Sequence, residues 1–293
     1  MGYILFEGVA TAVVTPMKAD GKIDWEAFER LIEYQAEGGV SAVVVCGTTG
    51  ESPTVTEAEK KELFSLAVRQ SEGRFKVICG CGAPSTEASV RMAAMAEKCG
   101  CDGILTVTPY YNKCSTEGLF RHYKAVAGTV SLPVIAYNVP SRTGVDISLD
   151  AYERLAEIDN LTGIKEASGR VLKTEQIISR FGGRFNVYCG SDELIAPLYS
   201  VGAKGVISVL SNVLPRETSE LCSLCRAGNM REATHLQLKL FPLIMALFSD
   251  VNPIPVKTAL AEMGLCEGYM RLPLCEMENG KRSALLEMLR DYL

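Results

Sequence analysis

At 293 residues and 47% hydrophobic content, the chain can bury a sizeable core, which excludes the disordered class. The formal charge is −5, from 30 Lys+Arg against 35 Asp+Glu. Both signs are mixed along the sequence, so there is no basic stripe for nucleic acid, and no apolar run approaches the roughly 18 residues of a membrane span.

Taken in order, short apolar stretches alternate with helix-period stretches. Strands are predicted at 9–14, 42–46, 76–81, 103–107, 133–138, 161–166, 186–189 and 205–209. Helices are predicted between them at 25–37, 57–71, 86–98, 116–128, 149–158, 171–181 and 193–201. Thr56 with Glu59 reads as a capping box, Ser115 with Gly118 as a weaker one, and Gly100 and Gly202 as helix stops. Eight strands separated by helical crossovers are the count of an α/β fold of the closed (β/α)8 barrel type. Residues 1–214 are read as the barrel body, and residues 215–293 as its closing helix plus additional C-terminal helices packed on it. A doubly wound sheet is the alternative, but no GxGxxG or GxxxxGK[ST] follows any strand.

The N-terminal MGYILFEGVA lacks the basic segment and apolar core of a secretion signal, so a cytoplasmic protein is expected. Eleven cysteines, an odd number, include Cys46, Cys79, Cys81 and Cys189 in or beside predicted strands, a pattern that suits reduced thiols. Cys222 and Cys225 form a single CxxC in a helical stretch, weak as a zinc signal without a second pair.

One stretch breaks the apolar rule. LTGIKEASG, residues 161–169, sets Lys165 inside a strand that should be buried on both faces. Burial drives an ammonium towards the neutral amine, and a neutral amine is the nucleophile that forms a Schiff base with a carbonyl. The bland reading is a strand-end lysine snorkelling to water beside Glu166. In a (β/α)8 barrel the chemistry sits at the C-terminal strand ends. There the sequence places Gly47-Thr48-Thr49-Gly50-Glu51, Thr108-Pro109-Tyr110-Tyr111-Asn112, Tyr137 to Gly144, Lys165, Gly190-Ser191-Asp192 and Ile207. The only histidines, His122 and His235, fall in helical stretches, which excludes a Ser-His-Asp triad and a histidine metal site. Period two points Tyr137 and Lys165 inward on neighbouring strands, where a phenol can pass protons to a developing imine. Residues 47–51 suit a carboxylate cradle, and Arg142 a clamp for a second carboxylate. A glycosidase using Glu51 and Glu166 is the competing enzyme class, although Trp25 is the sole tryptophan to offer a sugar platform. A silent barrel retained as a sensor is the non-enzyme alternative.

The stretches GVATAVVTP, CGTTGES, TPYYNK, YNVPSRTG, GIKEASG, GVISVLSN, NPIPVKTAL and RLPLCEM, in this order, resemble the dihydrodipicolinate synthase / N-acetylneuraminate lyase family nearly end to end. The resemblance implies a class I aldolase on a (β/α)8 barrel that joins pyruvate to L-aspartate 4-semialdehyde, with no metal or organic cofactor. It implies Lys165 as the Schiff-base lysine and Tyr137 as the proton-transferring tyrosine, joined by Thr48 and Tyr111 in a hydroxyl relay. Tyr111 is implied to reach in from the neighbouring subunit of a homodimer or homotetramer. Thr49 is implied at the pyruvate carboxylate, Arg142 at the carboxylate of the semialdehyde, and Gly190 and Ile207 at backbone positions lining the pocket. The chain departs from lysine-inhibited members at Glu57, Lys60, Pro84 and Ala88, while Ser52 and Tyr110 fit them.

Overall fold

The computed structural model describes residues 3–293. Strands β1 (Gly8–Ala12), β2 (Ala42–Val45), β3 (Lys76–Gly80), β4 (Gly103–Val107), β5 (Val134–Asn138), β6 (Leu161–Glu166), β7 (Asn186–Cys189) and β8 (Gly205–Ser208) form a closed barrel in sequence order. All pairings are parallel, β8 closing on β1 through Gly8↔Gly205 to Thr11↔Ser208. β1 ends earlier than its apolar run predicts. The Val14 N–H goes to the Asn212 side chain at 3.1 Å and leaves the ladder.

The outer layer comprises α1 (Trp25–Glu37), α2 (Glu57–Ser71), α3 (Thr86–Lys98), α4 (Thr116–Ala127), α5 (Pro140–Thr143), α6 (Leu149–Leu155), α7 (Val171–Phe181) and α8 (Ile195–Ser200). It continues with α9 (Pro215–Arg226), α10 (Met230–Leu247), α11 (Ile254–Glu262) and α12 (Asn279–Arg290). α9 packs on β1 and α8, while α10 leans on α8 and α9 and meets α12. The Thr56–Glu59 capping box is complete, with Thr56 N donating to Glu59 Oε2 at 2.8 Å and Glu59 N to Thr56 Oγ1 at 3.3 Å. Ser115 caps only one way, because Gly118 has no side chain to return the bond. α5 replaces an expected loop: Pro140 supplies helical φ at its first position, and Gly144 ends it at φ +64° with its N–H on Pro140 O. The predicted helix over 193–201 opens instead as a 3-10 turn, Asp192–Leu194, ahead of α8.

Period-two alternation sorts the strands into two apolar layers. Val9, Val43, Val45, Ile104, Val134 and Ile164 face the helices. Ala10, Val44, Ile78, Leu105, Ile135 and Tyr188 fill the barrel interior. Phe6 stacks on Tyr188 with ring centroids 4.3 Å apart, and Tyr188 Oη donates to Phe6 O at 3.1 Å, closing the barrel floor. Each such fully buried aromatic contributes about 1.5–3 kcal/mol of transfer free energy. Gly163 is small for a reason: a Cβ there would lie 3.0 Å from the Tyr188 ring. The interior is therefore filled below and open above. Among the described residues, no helix is long and apolar enough to cross a membrane.

Candidate active site

Lys165 stands where the filled interior ends. It is only 6% exposed. The β5–β6 register pairs it with Tyr137, and its Nζ lies 4.5 Å from the Tyr137 ring centroid. The next residues on both strands point outward and clamp them together. Asn138 Nδ2 donates to both Glu166 oxygens at 3.2 and 3.0 Å and to Asp146 Oδ1 at 3.0 Å. Glu166 also accepts from Ser168 N at 2.8 Å and from the Tyr152 hydroxyl at 3.4 Å, with burial holding that phenol protonated. Lys173, nine-tenths buried, completes this layer by pairing with Asp146.

On the far side of Lys165 the backbone of Gly190 runs beneath the side chain. A Cβ built there would sit 3.1 Å from Lys165 Cε, 2.9 Å from Glu166 O and 2.6 Å from Ala167 Cβ. Asp192, fully buried at the start of the 3-10 turn that follows β7, accepts the N–H groups of Val209 and Leu210, each at 2.9 Å. Burial raises its carboxyl above the usual range, and the Lys165 charge works in the opposite direction.

Thr48 and Thr49 lie on the turn after β2, between Cys46 at φ 54° and Glu51 at φ 53°. Left-handed backbone at two non-glycine residues is costly and persists only where surroundings enforce it. Gly80 gives the turn its room, since a Cβ there would meet Cys46 O at 2.1 Å. The C-terminal segment supplies the enforcement. Lys257 of α11, fully buried, pairs with Glu51 at 2.5 Å, and Arg271 N donates to the same carboxylate at 3.3 Å. The Arg271 guanidinium also grips Glu59, holding that carboxyl down at about 2. Asn252 Nδ2 donates to Thr49 Oγ1 at 3.0 Å, while Asn252 O accepts from Arg142 Nη2 at 3.2 Å. One residue thus braces both expected carboxylate-binding groups.

These side chains open on a cavity of about 370 Å3 at the barrel mouth, lined by Thr48, Thr49, Tyr137, Arg142, Lys165 and Gly190. A second cavity of about 340 Å3 shares Thr48, Tyr137 and Arg142 and adds Lys60 and Tyr110. Ile207 does not line either cavity. Its strand position turns it into the interior cluster below, and Val209 takes the lining position. Tyr111 is outside its own chain's cavities, 89% exposed at φ 69°. The Glu51 and Glu166 pairing of a glycosidase fails, because one carboxylate is buried on Lys257 and the other faces outward onto Asn138. His122 is buried against Thr86, and neither histidine reaches a cavity. No cluster of three or more His, Cys, Asp or Glu side chains suits a metal ion among the described residues. The sequence reading missed Asn252, Glu193, Met245 and Phe248, all of which line the cavity. The stretch NPIPVKTAL pointed at Asn252, but helix periodicity gives no sign that α10 leans over a barrel mouth.

Comparison with known proteins agrees along the whole length. Residues 5–292 match the model of the dihydrodipicolinate synthetase family. A 4-hydroxy-tetrahydrodipicolinate synthase from Alkaliphilus oremlandii is 44% identical over 286 residues, covering 98% of each chain. The crystal structure of dihydrodipicolinate synthase from Thermotoga maritima superposes with a TM-score of 0.96 at 42% identity, covering 98% of this chain and 99% of that one. The Acinetobacter baumannii dihydrodipicolinate synthase, solved in complex with pyruvate, superposes at 0.95 with 43% identity, covering 97% of this chain and 98% of that one. Matched in sequence from end to end and in fold at this closeness, the chain belongs to the dihydrodipicolinate synthetase family.

Proposed function

We propose that the chain is a class I aldolase-type enzyme condensing pyruvate with L-aspartate 4-semialdehyde to 4-hydroxy-tetrahydrodipicolinate, in diaminopimelate and lysine biosynthesis. The observation that carries this reading is Lys165, buried at the barrel mouth beside Tyr137, its register partner. Lys165 attacks the pyruvate carbonyl and loses water to form an imine. The carboxylate rests on the Thr48–Thr49 turn. Tyr137 and Thr48 carry protons to and from the reacting carbons, and loss of a methyl proton gives the enamine. The enamine carbon attacks the aldehyde of the second substrate, whose carboxylate is held by Arg142. The substrate amine then closes on the imine carbon and releases Lys165. The imine holds the charge that a free enolate would carry, so lysine chemistry suffices for the carbon–carbon bond.

Tyr111 completes the relay from a second copy of the chain, in a homodimer or homotetramer. Its exposure and left-handed backbone support that reading, since a bulky residue at positive φ is strained and a partner contact would repay the strain. The free cysteines support a reducing, cytoplasmic setting.

Incubation of the purified chain with pyruvate and L-aspartate 4-semialdehyde tests the reaction. A cyclic product with the summed mass of both substrates less one water is expected. Recovery of both substrates unchanged refutes it.

A further inference from the structure

We infer that Glu193 is a specificity-determining residue: its carboxylate receives the α-ammonium group of the amino-aldehyde substrate while Arg142 receives the neighbouring carboxylate. The inference rests on the reaction proposed above. Among the described residues Glu193 is the only acidic residue lining the cavity of about 370 Å3, three residues beyond the Gly190 backbone that runs under Lys165. Among the described residues it makes no ion pair and no side-chain hydrogen bond to another residue. Burial disfavours its charge and outweighs a bond from its own backbone N–H, and the adjacent Asp192 adds to the burial.

An unpaired carboxylate is out of place in a cavity that takes two carboxylate-bearing substrates. Like charges brought together there repel unless a cation intervenes. The two cations lining this cavity, Arg142 and Lys165, are committed elsewhere. Arg142 is turned towards Asn252 O at 3.2 Å and is assigned to a substrate carboxylate, and Lys165 is consumed by its bond to pyruvate. The remaining cation is the ammonium of the incoming substrate, carried on the same carbon as the carboxylate. A guanidinium and a carboxylate lining one cavity match the two charges of such an α-amino acid end. The pair fixes which face of the aldehyde meets the enamine. It also rejects a four-carbon aldehyde lacking the amine, because Glu193 is then left unpaired.

The test compares wild type with Glu193→Gln and Glu193→Asp. The measurements are KM and kcat for L-aspartate 4-semialdehyde, the competitive Ki of succinate semialdehyde, and the rate of pyruvate adduct trapping by borohydride. Glu193→Gln is expected to raise KM for the amino-aldehyde about ten- to a hundredfold, the scale of a charge-assisted hydrogen bond. The Ki of the des-amino aldehyde should fall, because no carboxylate is then left unpaired, the trapping rate should be unchanged, and Glu193→Asp should recover part of the loss in KM. An unchanged KM in both variants overturns the assignment, as does a parallel rise in KM and Ki. A wild type that traps no pyruvate would instead remove the proposed reaction itself, and the ammonium site with it.

Discussion

Substituting Gly190 by alanine tests the packing around the nucleophile. The added Cβ would lie 3.1 Å from Lys165 Cε and closer still to Ala167 Cβ and Glu166 O, at 2.6 and 2.9 Å. Ordinary carbon contacts begin near 3.5 Å, so the lysine must yield by roughly 0.4 Å and the chain at Ala167 or Gly190 by roughly an ångström. Overpacking of this kind costs about 1–3 kcal/mol of stability. The kinetic effect should be larger than that implies, because a displacement near 1 Å at a reacting atom costs on the order of a hundredfold. Single-turnover trapping with pyruvate and borohydride, alongside urea unfolding, separates the two effects. Gly190→Ala should slow trapping about ten- to a hundredfold while remaining folded. Gly183→Ala is the control: nothing lies within 4 Å of its Cβ, so it should be neutral or stabilising by a few tenths of a kcal/mol. Wild-type trapping by Gly190→Ala would refute the packing that positions Lys165.

Arg142→Ala should leave pyruvate trapping intact but weaken use of the semialdehyde by about 2–5 kcal/mol in kcat/KM, and equal specificity constants would show the residue misassigned. Lys257→Met strands the Glu51 carboxylate beneath the Thr48–Thr49 turn and should cost about 3–5 kcal/mol in urea unfolding, and a midpoint equal to wild type would contradict the buried pair. His122 has its pKa pushed down from 6.5 to about 4 by burial, so between those values the unfolded chain binds more protons than the folded one. Its contribution is fully present above about pH 6.5 and is lost as pH falls towards 4, by up to about 3 kcal/mol; His122→Phe should flatten that part of the stability profile, and an unchanged slope would contradict it.

The barrel was legible because strand and helix periods alternate without interruption, and the parallel register follows from the crossovers. Lys165 was legible because a cation interrupts an apolar strand, and Tyr137 because period two sets it on the same side of the neighbouring strand. What escaped was tertiary. Asn252 braces Thr49 and Arg142 from more than a hundred residues away from either, a relation that no local spacing encodes. Glu193 is predicted to begin a helix but lies in the 3-10 turn Asp192–Leu194, where it lines the cavity. Ile207 illustrates the limit of carrying a position over by resemblance: a matched motif places the residue on its strand, but not at a given depth in the barrel.

The most direct measurement is the peptide mass of the chain after incubation with pyruvate and borohydride. One reduced pyruvyl group on the peptide containing Lys165, absent from Lys165→Arg, is the expected result. A chain that forms no adduct, or forms it equally well in Lys165→Arg, contradicts a nucleophile buried at the barrel mouth.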